Sequence, residues 1–398
     1  MTELQRRLTE LATRVRQGIR PGLTGIRALD ARCGEPSQSL RAVVVAGTNG
    51  KGTCCRALEA IALEHGLRTA LFTSPHRSRF NQRFRIDGQS VSDQELLRWM
   101  AAVDHDEFTF FEVSTAMAFW GFAQADVDLA ILEVGMGGRL DAVNLVDGIA
   151  SAVVSISKDH EQFLGHELHQ IAAEKLGVAR DARPLVLGSS LRPFLGRAEA
   201  THAKVWLNGR DWRSDQRSVD TNSFNMSRPA HLLFDTLWDA AAVAVPLAEA
   251  IGLHDANAVQ RGLENFRHPL RGERMGGVTF DACHNEAGIS GFAQWAVKHA
   301  PDADLLVALS GRDPEVLAPF CGQGRRWFTV AARHPKATGA SALAHALEQR
   351  GERVESLTRD QAYDLLKSRQ PLDQDAVLAF GSIYAMGPLR DRLEEDCR

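Results

Sequence analysis

Short apolar runs of strand length alternate along this chain with longer stretches whose apolar residues recur at helical spacing. Val43–Ala46, Thr69–Thr73, Leu129–Val134, Ala150–Ile156 and Pro184–Leu187 read as strands. Between them Thr53–His65, Glu112–Ala125 and Glu167–Arg180 carry helical patterns. Such alternation predicts an α/β chain, a parallel sheet covered by helices. Residues 203–235 break the rhythm. In KVWLNGRDWRS an Asn208-Gly209 pair sits between two Trp-containing arms, which predicts a β-hairpin and a small β element. A helical stretch near 236–264 follows, and then FRHPLRGERMGG, dense in proline, glycine and charge, marks a domain boundary. Beyond it the alternation resumes, with strands near Val278–Asp281, Leu305–Leu309, Trp327–Val330 and Val377–Phe380. No internal repeat and no low-complexity segment interrupts the pattern.

Composition narrows the class. A chain of 398 residues is too long for one ordinary core, which agrees with two domains, 1–265 and 266–398. With 46 Lys+Arg against 50 Asp+Glu the net charge is −4, which argues against a nucleic-acid binder. The N-terminal MTELQRRLTELATRVRQGIR is charged throughout and lacks the apolar centre of a signal peptide, and no run approaches membrane-spanning length. The six cysteines, Cys33, Cys54, Cys55, Cys283, Cys321 and Cys397, show no paired metal-ligand spacing. They read as reduced thiols, with Cys54-Cys55 as small fillers. A cytoplasmic protein with no membrane partner is expected.

Three polar clusters carry the candidate chemistry. The first, Gly47-Thr48-Asn49-Gly50-Lys51-Gly52-Thr53, follows a strand and precedes a helix. Its glycines let successive N–H groups turn around an anion, the helix N-terminus adds partial positive charge, and Lys51 supplies a full one. Thr53 can place its hydroxyl on a magnesium ion bridging phosphates. A glycine separates the lysine from the threonine, unlike the common phosphate loop, and a tight turn with a solvent-facing lysine is the plain alternative. The second cluster, LAILEVGMGGRLDAVN, ends a buried strand in Glu133 and continues through glycines to Arg139, Asp141 and Asn144. The third, Lys158-Asp159-His160, ends the strand pattern ASAVVSIS. In an open parallel sheet all three loops emerge at one edge, which points to a crevice. The fold class expected is therefore an α/β chain. A P-loop parallel-sheet domain with a small β element comes first, and a smaller Rossmann-like α/β domain follows.

In order, VAGTNGKGT, TSPH (Thr73–His76), LEVGMGGRLDAVN, Asp159-His160 followed by Phe163-Leu164-Gly165, IAAEKLG and DACHN resemble the folylpolyglutamate synthase/dihydrofolate synthase family, within the Mur-type ligases. The resemblance runs from about residue 22 to about 390. It implies ATP-dependent amide formation, in which a carboxylate becomes an acyl phosphate and the amine of L-glutamate attacks it. The acceptor would be dihydropteroate or a reduced folate, and the enzyme a monomer. By the same resemblance, Lys51 and the Gly47–Thr53 loop hold the phosphates, while Thr53, Ser74, Glu133 and His160 hold Mg²⁺; the plain alternative for His160 is a capping histidine. Lys175 lies seven residues after Leu168 and four after Ile171, on the apolar face of its helix. Burial there lowers a lysine's pKa, and a neutral amine can take up carbon dioxide. The family carries a carbamylated lysine at this position, helping to hold a second metal, whereas the alternative has Lys175 snorkelling to the surface.

Arg77, Arg79, Arg83 and Arg85 fall within nine residues, and alternation along a strand would put them on one face beside an anionic substrate. His76, Arg83, Arg85 and Asp141 are assigned to the substrate side. FFEVSTAMAFW resembles the family's helix start beside the acceptor pocket, and its aromatics fit a core equally well. In the second domain Asp281 and His284 match contacts to the nucleotide, and Arg271 matches an arginine that reaches the phosphates, which would make catalysis depend on closure. The chain departs from the family pattern at Asp239, Leu270, Glu286 and Glu161, where asparagine, glycine, proline and threonine are usual. Those changes keep open a specialised ligase for another carboxylic acid and a non-catalytic nucleotide-binding relative. An unrelated P-loop NTPase or kinase is disfavoured by the lack of a hydroxyl residue directly after Lys51.

Overall fold

The computed structural model describes residues 2–13, 22–103, 107–370 and 375–396. Residues 1 and 14–21 of the charged N-terminal segment and Cys397 lie outside the described residues. Among the described residues eight strands make the first sheet: β1 (Ala42–Ala46), β2 (Thr69–Phe72), β3 (Phe84–Ile86), β4 (Gln89–Ser90), β5 (Leu129–Glu133), β6 (Ala150–Val153), β7 (Pro184–Leu187) and β8 (Lys204–Leu207). Their order is β4-β3-β2-β5-β1-β6-β7-β8. From β2 to β8 every pairing is parallel, while β3 and β4 add an antiparallel edge. β1 is buried along its whole length, and so are β2, β5 and β6, which is why they read as unbroken apolar runs. The helix Lys51–Glu64 packs against β1, β2 and β5, and Ala244–Ala250 against β6 and β7. Because the strands run parallel, the chain segments after Ala46, Phe72, Glu133 and Val153 leave the sheet at the same edge.

Two local expectations are corrected. Lys204–Leu207 is not one arm of a hairpin: it pairs parallel with β7, Leu187 opposite Leu207, as the last strand of the main sheet. The Asn208-Gly209 turn instead leads into a three-stranded antiparallel sheet, β9 (Arg213–Ser214), β10 (Ser218–Asp220) and β11 (Asn225–Ser227), which is the small β element. Nor do the four arginines alternate along a strand. Phe80–Arg83 is a 3₁₀ turn and only Phe84–Ile86 is extended, so Arg83 and Arg85 are separated by a change of backbone.

The second sheet holds β12 (Arg271–Met275), β13 (Val278–Asp281), β14 (Asp304–Ala308), β15 (Arg326–Val330), β16 (Arg353–Leu357) and β17 (Val377–Gly381), in the order β12-β13-β17-β14-β15-β16. All pairings are parallel except β12 with β13. By its contacts the chain divides into Met1–Pro229 with Asp239–Arg267, and Ala230–Trp238 with His268–Arg398. One cut falls inside the helix Asp235–Ala242, between Trp238 and Asp239. Among the described residues the cysteines are free, and no helix is long and apolar enough to cross a membrane.

Candidate active site

The loop after β1 is shaped by its own backbone. Gly47 has φ +152° and Gly50 φ +82°. A β-carbon on Gly50 would stand 2.5 Å from that of Ala240, so position 50 excludes side chains both by conformation and by space. The loop is also sewn to the segment after β6. Thr48 N–H donates to Ser155 O at 2.9 Å, its hydroxyl donates to Ser157 O at 3.1 Å, and it accepts from Ser157 N–H at 3.0 Å. Asn49 N–H donates to the Ser155 hydroxyl, which donates back to Asn49 O, each at 2.9 Å. These bonds pin Thr48 and Asn49, in the turn that leads into the Lys51–Glu64 helix, against the segment after β6.

Two lysines meet at this loop. Lys51 Nζ donates to Gly47 O at 3.1 Å and to Thr48 O at 3.3 Å, and Lys175 Nζ donates to the same Gly47 O at 2.9 Å. Lys175 is 4% exposed, so it does not snorkel to the surface. Burial first, and the nearby Lys51 charge second, pull its pKa down to about 7, against the opposing pull of Asp159 and Asp141. Asp141 is buried, and burial pushes its pKa up to about 6. Its carboxylate already accepts from Met136 N–H at 2.9 Å and Val143 N–H at 3.1 Å, so it braces the glycine-rich turn.

Thr53 and Glu133 are buried, and Glu133 Oε2 accepts from Ser74 N–H at 3.0 Å. The Ser74-Pro75 peptide is cis. Hydroxyl and carboxylate oxygens are the donors a hard cation such as Mg²⁺ takes, so Thr53, Ser74 and Glu133 fit it. Among the described residues no three His, Cys, Asp or Glu side chains gather as a metal site by themselves. A metal here would complete its shell with phosphate oxygens and water. His160 is at a left-handed φ of 52° at the start of the short helix Glu161–Leu164, and its side chain makes no capping hydrogen bond. Its Nε2 lies 3.9 Å from Asp159 Oδ1.

On the substrate side the structure separates what the sequence had grouped. Arg83 Nε donates to His76 Nδ1 at 3.0 Å. Burial and the Arg83 charge push His76 down to about 3, so His76 is neutral and adds no positive charge to the site. Arg83 is buried, with its guanidinium over the rings of Phe80 (5.6 Å) and Phe110 (5.2 Å). Arg85 is instead engaged with buried Glu59, both carboxylate oxygens at 3.0 Å from its Nε, which makes it a structural partner rather than a charge held ready for substrate. The sequence reading missed Arg56. It follows Thr53 at helical i, i+3 spacing, which was the available signal, and feels Glu59 and Glu133 as well as Arg85 and Arg77. Burial and Arg85 bring it down to about 10.

The remaining assigned residues lie in the second unit. Asp281 is buried, which raises its pKa, and its two oxygens accept from Gly272 N–H at 3.0 Å and Cys283 N–H at 2.7 Å. Arg271 Nη1 is 3.9 Å from Asp281 Oδ1. His284 Nδ1 is 3.0 Å from Ala282 O, and Asn285 caps the helix Glu286–His299 by accepting from Gly288 N–H at 2.9 Å. The structure thus brings Arg271, the first residue of β12, Asp281, the last of β13, and His284, just beyond it, to one end of this strand pair.

No protein-family profile matches the chain. It is 32% identical over 419 residues to a probable bifunctional folylpolyglutamate synthase/dihydropteroate synthase of Halobacterium salinarum, covering 95% of this chain and 50% of that protein. It is 35% identical over 294 residues to the folylpolyglutamate synthase of Lacticaseibacillus casei, covering 65% of this chain and 68% of that one. The chain spans half or less of the length of several curated relatives, down to 35%. Among solved structures, E. coli FolC in complex with DHPP and ADP superposes with a TM-score of 0.88 at 26% identity, covering 100% of this chain and 99% of that one. A bifunctional folylpolyglutamate synthase/dihydrofolate synthase with Mn, AMPPNP and L-glutamate bound gives 0.85 at 26% identity, covering 99% and 98%.

Proposed function

The chain belongs to the folylpolyglutamate synthase/dihydrofolate synthase family, and we propose that it is an ATP-dependent amide ligase joining L-glutamate to dihydropteroate, to folyl-glutamates, or to both. The observation that carries this reading is the pair of lysines, Lys51 and Lys175, converging on the Gly47 carbonyl inside a turn built for phosphate. ATP would occupy the Gly47–Thr53 turn. Lys51 would exchange Gly47 O and Thr48 O for phosphate oxygens and stabilise the charge that spreads over the transferring phosphoryl group. That transfer turns the acceptor's carboxylate into an acyl phosphate, which the neutral amine of glutamate attacks, releasing phosphate and forming the amide. Bound Mg²⁺, held by Thr53, Ser74, Glu133 and His160, would supply Lewis-acid neutralisation of the phosphates. Arg83 is our candidate for a substrate carboxylate. Arg271, Asp281 and His284 are our further candidates for contacts to a nucleotide.

We assign Lys175 a carbamate. With a pKa near 7 its amine is substantially neutral at neutral pH. The nitrogen lone pair adds to the carbon of CO₂, a proton leaves to solvent, and an anionic oxygen donor replaces a buried cation. A carbamate carbonyl resonance in the folded protein after equilibration with ¹³C-labelled CO₂, absent from Lys175→Ala, tests this.

The deciding experiment for the function is ADP release. Release that requires both L-glutamate and a pteroate acceptor supports the reading. Release with an unrelated acid and with no pterin would identify a specialised ligase instead. No release with any acid, despite nucleotide binding, would leave a non-catalytic relative.

A further inference from the structure

The backbone around Arg271 is unusual on both sides. Leu270 has φ +62°, in the left-handed region that a residue with a β-carbon avoids, and Gly272 has φ +60°. Leu270 thus holds, with a β-carbon, a conformation that glycine takes more readily. Two things hold it there. The Leu270 side chain is 1% exposed, anchored in the apolar core of the second unit. Its N–H donates to Glu273 Oε2 at 2.9 Å, and its carbonyl accepts from Ala282 N–H at 2.8 Å.

Glu273 is itself gripped. Arg390, from the helix Ile383–Asp396 far along the chain, donates Nε to both Glu273 oxygens at 3.1 and 3.0 Å and Nη2 to Oε1 at 2.5 Å. Arg390 is 6% exposed, so this pair works with little competition from water. On the other flank Gly272 N–H donates to buried Asp281. Arg271 therefore sits between two left-handed residues, and a carboxylate takes the N–H of each. The β12–β13 register is interrupted between Arg271 and Glu273, so the ordinary ladder does not aim this side chain.

We propose that Glu273, held by Arg390, is a positioning residue for Arg271: it clamps the left-handed Leu270 backbone and so sets the direction of the guanidinium toward an anionic group of the nucleotide. This rests on the proposed nucleotide role of Arg271. The clamp offsets the cost of a left-handed backbone at a residue with a β-carbon. It predicts that a loss at Glu273 acts through Arg271, which a general stabilising role would not predict.

The test uses the full chain, with KM for ATP, kcat, affinity for ADP alone and the melting temperature. Glu273→Ala should raise the KM for ATP and the Kd for ADP on the order of tenfold, with kcat little changed. Glu273→Gln keeps an oxygen for Leu270 N–H but turns an NH₂ toward the Arg390 donors, so it should lose less than Glu273→Ala without matching wild type. Adding Glu273→Ala to Arg271→Ala should cost nothing further in ADP affinity. Folded Glu273→Ala with unchanged ADP affinity, or full additivity with Arg271→Ala, would each overturn the proposal. The ADP measurement needs no turnover, so a wild-type chain that binds ADP but ligates nothing sinks the functional reading and leaves the clamp to be judged on affinity.

Discussion

Lys175→Met should stabilise this protein at low pH, although it removes a residue placed at the heart of the site. The Lys175 ammonium is moved from its ordinary 10.5 to about 7 by burial and by Lys51. At about 1.4 kcal/mol per pH unit that is a penalty of roughly 5 kcal/mol on the folded chain. The variant also loses the 2.9 Å hydrogen bond to Gly47 O, worth about 1 kcal/mol, though Lys51 still donates to that oxygen. A net gain of about 3–4 kcal/mol is expected near pH 6. The sign follows from proton counting. Below about 7 both folded and unfolded lysine are charged and the whole penalty stands. Between about 7 and 10.5 the unfolded chain binds the extra proton, so wild-type stability rises with pH and the advantage of methionine shrinks. Urea unfolding of both proteins in CO₂-free buffer, at intervals from about pH 6 to about pH 10, measures the difference directly. A variant less stable than wild type at pH 6, or a gap that does not narrow with pH, would refute the buried-ammonium argument.

Three further outcomes are expected. Lys51→Ala should lower kcat by at least about a hundredfold, on the order of 3 kcal/mol of barrier, with an unchanged melting temperature; near wild-type turnover would remove the loop from the chemistry. Arg83→Ala should raise the KM for the acid substrate or glutamate well above any change for ATP, and a change confined to ATP would move Arg83 to the nucleotide. Arg85→Ala should act on stability instead, costing about 3 kcal/mol because buried Glu59 loses its partner, and Glu59→Gln in the same chain should return part of it. Equal stability of Arg85→Ala and wild type would show that Glu59 finds another partner.

How much of this was legible depended on whether the signal was local. The fully buried parallel strands, such as AVVVA in β1, announce themselves as apolar runs, and a phosphate loop is contained in seven consecutive residues. Helical spacing placed Lys175 one turn after Ile171, which is buried. Leu168, the other residue used to define that face, is 40% exposed, so spacing by itself left burial and snorkelling both open. Edge strands were harder. RGERM in β12 and RVESL in β16 are polar, as unpaired sheet edges usually are, and gave no apolar run to find. Lys204–Leu207 was misread because its tempting Asn-Gly turn outweighed a pairing with β7 that no local signal marks. The Arg85–Glu59 pair and the Glu273–Arg390 grip join residues 26 and 117 positions apart, and charge at one position does not name its partner.

The reciprocal hydrogen bonds between Thr48-Asn49 and Ser155–Ser157 have a mechanical meaning. Two segments that leave different strands become one stiff body, and His160 begins only three residues beyond the last stitch. Any displacement of the phosphate-receiving turn therefore carries the histidine with it, so the spacing between them is preserved while their common position drifts. Methyl for hydroxyl at Ser155 or Thr48 would remove no charge from the site. It would thin the stitching without abolishing it, since Thr48 N–H still donates to Ser155 O, and the loss would surface as a broader spread of geometries sampled by Lys51 against His160.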